Sequence, residues 1–120
     1  MGIFSRIFGG KPLGQPSSEH AVIVHFDHGS KDLQPLFALE DQLEQAINNA
    51  GVGELDGNEV AADGSDGSLY MYGPDADRLF EAVRPILERS TAIRNAIATI
   101  RYGPPEESVR SVQVQLYLPA

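Results

Sequence analysis

From residue 20 onward, apolar and polar positions fall into alternating and helical runs. The stretch HAVIVHFDH (20–28) alternates and is β-branched, which predicts a strand with Val22, Val24 and Phe26 on one buried face. Leu36, Leu39, Leu43, Ala46, Ile47 and Ala50 then recur at helical spacing. Asp32 is the expected N-cap of that helix, Pro35 fits its first turn, and Gly51 is its natural stop. Two short alternating runs follow, GNEVAAD (57–63) and GSLYMYG (67–73). A second helix is predicted over DADRLFEAVRPILERS (75–90), with Ala76, Leu79, Phe80, Val83 and Leu87 inward. Pro85 removes one hydrogen bond from it and predicts a kink near residues 81–84. NAIATIRYG (95–103) reads as a strand. In VRSVQVQLYLP (109–119), Val112, Val114, Leu116 and Leu118 share one face against Gln113, Gln115 and Tyr117.

The predicted order is β-α-β-β-α-β plus one strand, an α+β pattern built on split βαβ units. Right-handed crossovers then give an antiparallel sheet with both helices on one face. Residues 20–118 resemble a ferredoxin-like (βαββαβ) plait with an additional C-terminal strand. The segment LYMYGPDADRLFEAVRPIL (69–87) is also similar to small bacterial proteins of uncharacterised function. The resemblance implies a fold and no activity, because this fold hosts enzymes, metal carriers, RNA binders and dimerisation modules alike. Its dimeric oxygenase members use the open sheet face as a subunit interface around a pocket.

A chain of 120 residues is expected to form one domain with one modest core, here residues 20–120. The absence of cysteine excludes disulfides and thiolate metal sites, and fits a reducing, cytoplasmic setting. A net charge of −8 argues against nucleic acid as a partner, since that binding rests on Lys and Arg meeting phosphates. The charge is also uneven: from Asp32 to Asp77 there are eleven carboxylates and no Lys or Arg, whereas the C-terminal third is mildly basic. A solvated acidic face accounts for this, and a docking surface for a basic protein partner is the functional alternative.

Residues 1–19 differ from the rest. Ile3, Phe4, Ile7 and Phe8 share a face if the tip is helical, and GGKPLGQPSSE has the composition of a flexible linker. The tip lacks the regions of a signal peptide, and Arg6 stands where myristoylation wants Ser or Thr. Docking on its own domain or on another subunit is favoured over membrane contact, because so few residues bury little area in lipid.

The stretch AADGSDGSLYMYGPDADRLF (61–80) invites a metal or phosphate reading. Counted from Asp63 as a calcium loop, the fifth position is Gly67, the sixth Ser68 and the twelfth Pro74; counted from Asp56, the fifth is Val60 and the sixth Ala61. Both registers fail the ligand pattern, and a phosphate loop would need a lysine that is absent. Asp and Gly between two alternating runs specify a hairpin turn.

Candidate chemistry therefore concentrates on the sheet face away from the helices. With Val22, Val24 and Phe26 inward, Ile23, His25 and Asp27 face outward; with Leu69 and Met71 inward, Tyr70 and Tyr72 join them, and Arg101 or Tyr102 follows from the fourth strand. His25 and Asp27 at i, i+2 could be metal ligands or an oriented base, but no third ligand is evident, and neither a metal nor another cofactor is expected. The sequence has no nucleophile elbow, zinc-protease helix or dinucleotide fingerprint. The favoured reading is a non-catalytic interaction or regulatory domain that forms a homodimer. The alternatives are a small enzyme or ligand- or metal-binding protein with its site at His25, Asp27, Tyr70, Tyr72 and Arg101, and an acidic immunity or antitoxin-like inhibitor.

Overall fold

In the computed structural model, which describes residues 19–118, the first alternating run becomes strand β1 (His20–Asp27). Val22, Val24 and Phe26 are fully buried because alternate side chains of a strand take opposite faces. The apolar N-terminal tip and nearly all of its linker lie outside the described residues.

Helix α1 (Gln34–Ala50) buries Leu36, Leu39, Leu43 and Ile47, while Ala46 is half-buried and Ala50 exposed. Its start differs from the expected one: Leu33 holds the cap position without a side-chain bond, and Asp32 accepts from the Gln34 N–H at 3.1 Å. Pro35 sits in the first turn, where its missing N–H would have no helical partner anyway. Gly51 closes the helix at φ 64°, a left-handed conformation that residues with a Cβ adopt at a cost.

One buried position on α1 breaks the apolar pattern. Glu40 is 0% exposed, and Asn58 of strand β2 (Glu54–Val60) donates to its Oε2 at 2.7 Å. Burying a carboxylate is costly unless hydrogen bonds replace its water.

Strand β3 (Asp66–Gly73) pairs antiparallel with β2, as a hairpin requires. The turn is closed by Ala61 N–H donating to Asp66 O at 2.9 Å and Gly64 N–H donating to Ala61 O at 2.8 Å. Gly64 has φ 77°, and a Cβ there would run into the Ser30 carbonyl oxygen. Asp63 Oδ1 accepts from the Ser65 N–H at 2.9 Å, so this aspartate shapes backbone.

Helix α2 (Ala76–Arg89) starts at Asp75, whose carboxylate accepts from the N–H groups of Asp77 and Arg78. It buries Ala76, Leu79, Phe80, Val83 and Leu87 and runs on through Pro85. Strands β4 (Arg94–Arg101) and β5 (Ser111–Gln115) complete the chain. β5 is much shorter than the apolar alternation of 109–119, and Val112 on it is exposed.

The strands form one sheet in the order β2-β3-β1-β4-β5, every neighbouring pair antiparallel. β1-α1-β2 spans β3, and β3-α2-β4 spans β1, so two split units interleave. This α+β arrangement is compatible with a ferredoxin-like plait, with β5 lying beyond β4. The helices pack together and share one core cluster with the inward strand residues. His28, just past β1, ties two loops to that core: its Nδ1 lies 3.0 Å from Ala92 O and its Nε2 3.0 Å from Asp32 O. No helix among the described residues is long and apolar enough to cross a membrane.

Candidate functional site on the open sheet face

No described helix or strand covers the second face of the sheet, and the strand registers set out its residues in rows. Directly paired residues of neighbouring strands point to the same side, so the register assigns them up to the bulge of β4 between Arg94 and Ile97. The first row runs Glu54–Tyr72–Ala21–Arg101, and the second Tyr70–Ile23–Thr99–Gln113. The third is Glu59–Ser68–His25–Ile97–Gln115, and the fourth Asp66–Asp27–Arg94. His25, Asp27, Tyr70, Tyr72 and Arg101 therefore belong to one face, spread over all four rows.

Their side chains do not converge on one point. His25 faces Ser68 with Nδ1 3.2 Å from Oγ, and presents Nε2 to Asp66 Oδ2 at 3.2 Å. Asp27 turns instead to Asn95, whose Nδ2 donates to it at 2.8 Å. Asn95 sits at φ 50°, which an asparagine tolerates better than most residues, next to the bulge where β1 and β4 slip out of register. Arg101 donates from Nε to Gly103 O at 2.7 Å, and Tyr70 donates its hydroxyl to Glu59 Oε1 at 3.1 Å.

Electrostatics follow this placement. Burial raises the Tyr70 hydroxyl above the ordinary tyrosine range, and the Glu59 carboxylate adds to that by favouring the protonated form. Tyr72 is raised first by burial and then by the charge of Asp56, with Arg101 opposing.

Among the described residues, the Ser68–His25–Asp66 chain on this face has the residue types of acyl transfer. With Asp66 accepting from Nε2–H, Nδ1 is left to accept from the serine hydroxyl, a consistent assignment of protons. The surroundings oppose that chemistry. The His25 and Asp66 side chains are 58% and 44% exposed, so their pairing is weak and solvated. Ser68 stands opposite Glu59, and both line the same shallow hollow of about 320 Å³ with Asp66. A developing oxyanion needs hydrogen-bond donors, and this hollow offers carboxylates. Among the described residues, no group of three His, Asp or Glu side chains could hold a metal ion.

Alternation places Tyr70 and Tyr72 beside His25 and Asp27 in the sequence. It cannot supply Ser68 and Asp66 as partners of His25, which depend on the register of β1 against β3, nor Glu59 as partner of Tyr70, which depends on register across the β2–β3 hairpin. Comparison with known protein families, curated proteins and solved structures finds no match.

Proposed function

We propose that the protein is a non-catalytic interaction domain, a cytoplasmic ferredoxin-like plait that self-associates through its open sheet face. The observation that carries this reading is the centre of that face: Ile23 and Tyr70 are only half-buried and Ile97 is exposed, with polar residues around them. An antiparallel sheet can leave one face in water, and such a face is then ordinarily polar. Aromatic and aliphatic groups ringed by polar ones are instead the composition of an interface core and rim. Tyrosine suits this use because it buries much area with little loss of rotamer freedom and keeps a hydroxyl for bonding. The cysteine-free composition supports the cytoplasmic assignment.

Sedimentation velocity across the micromolar range tests the reading, using the wild type beside Ile97→Glu. Ile97 is 37% exposed and lies outside the core cluster, so the substitution reaches the open face rather than the core. The wild type should pass from monomer to dimer, and Ile97→Glu should stay monomeric while still melting cooperatively. A wild type that remains monomeric throughout overturns the proposal.

A further inference from the structure

Resting on that reading, we infer that the second copy docks with the two-fold axis parallel to the strands, so that the acidic side of one face covers the arginine side of the other. The charges of the face are divided. Glu54, Glu59 and Asp66 lie on β2 and β3, whereas Arg94 and Arg101 lie on β4, and β1 runs between the two sets.

Two self-complementary ways of laying this face on itself keep the strands aligned, as sheet-on-sheet packing prefers. An axis across the strands sets each strand on its own copy, end for end. The carboxylate flank then meets itself, with Glu54 brought towards Glu59 of the second copy, and Arg101 lies over Arg94. Like charges meet on both flanks. An axis along the strands keeps each row level and reverses strand order. Asp66 then lies over Arg94 of the other copy, Tyr72 over Arg101, and Glu54 and Glu59 over Ser111 and Gln115 of β5, while Ile23, His25 and Asp27 each meet their own counterparts above β1. Two Asp66–Arg94 pairs flank the one like-charge contact, Asp27 on Asp27, and a guanidinium covers an aromatic ring. Like-charge juxtaposition costs enough at an interface to choose between the two arrangements.

The size of the face sets the class of interface. At about 4.8 Å between strands and about 3.3 Å per residue, it measures roughly 600 Å² per copy, or about 1,200 Å² buried in total, at the lower limit of specific interfaces. An interface of that size belongs with the weak and transient contacts, and its charge pairs make it weaker in salt.

Charge exchange tests the arrangement. One variant carries Glu59→Arg with Asp66→Arg, the other Arg94→Glu with Arg101→Glu, each checked for folding by circular dichroism. With the axis along the strands, each variant alone should lose at least about tenfold in self-affinity. An equimolar mixture should form a heterodimer close to wild-type strength, because position 66 of one variant, now basic, meets position 94 of the other, now acidic. With the axis across the strands, the first variant would self-associate more tightly than the wild type, as its basic position 59 would approach Glu54 of the second copy. That result overturns the inference. Single-cysteine variants of this cysteine-free chain give a charge-independent check. Because sheets pack about 10 Å apart, too far for a disulfide, Ile23→Cys and His25→Cys should each cross-link to themselves with a bismaleimide of about that span, and cross-linking of one but not the other contradicts the axis. A monomeric wild type would defeat the underlying reading. A wild-type dimer whose charge variants both still self-associate would defeat only the arrangement.

Discussion

Asn58 reaches across from β2 to hydrogen-bond Glu40 inside the core at 2.7 Å, and its own Oδ1 finds no hydrogen-bond partner among the described residues. Such a pair is high in stakes, because removing the donor leaves a buried carboxylate short of a bond. Asn58→Ala should therefore destabilise the domain by about 1–3 kcal/mol in urea denaturation. An unchanged midpoint would mean that the Asn58 bond contributes nothing to the fold. A second residue-scale expectation concerns tyrosine ionisation. Tyr70 and Tyr72 are raised by burial, and Tyr102 first by its hydrogen bond to Asp77, all above a reference of 10.0. A group raised in the folded state stabilises it fully below the unfolded pKa, and that contribution is lost as pH climbs through the folded value. Stability should accordingly fall above about pH 10. Ultraviolet titration should show tyrosines ionising late, with Tyr70→Phe removing one late step. Ionisation of all tyrosines at the ordinary value would contradict this.

At the scale of elements, the hairpin turn shows how backbone conformation dictates residue type. Gly64 combines φ 77° with close approach to Ser30, and the N–H groups of Gly29 and Ser30 both donate to Gly64 O. Gly64→Ala should cost about 1–3 kcal/mol, read as a lower melting temperature, because strain and collision act together. A melt within error of the wild type would show that the turn relaxes without cost. The elements themselves were largely legible, since period two and period 3.6 are local signals: the inward residues of α2 are those its spacing marks. What stayed hidden depends on distant partners. Glu40 stands four residues after Leu36 and three before Leu43, so spacing puts it on the apolar face of α1, but a carboxylate there argues for solvent until its partner Asn58 arrives from another element. The Ser68 and Asp66 contacts of His25 required the register of β1 on β3, fixed after a long excursion of chain. β5 reads as long in the sequence, but only Ser111–Gln115 find a ladder on β4.

At the scale of the whole molecule, two helices satisfy one face of the sheet and leave the other with an aromatic and aliphatic centre between opposite charges. Fold class could be read from element order, and the unequal charge along the chain was visible too, whereas its placement on opposite sides of β1 required strand order. The central claim is that this face, and not the helices or the β5 edge, meets a second copy. Amide spectra of isotope-labelled protein recorded at about 10 μM and about 500 μM test it most directly, because they bracket a micromolar dissociation constant. The account predicts concentration-dependent shifts or broadening centred on Ile23, Tyr70, Ile97 and Thr99, with α1 and α2 unmoved. Spectra that do not change with concentration, or changes confined to the helices or to β5, would contradict it.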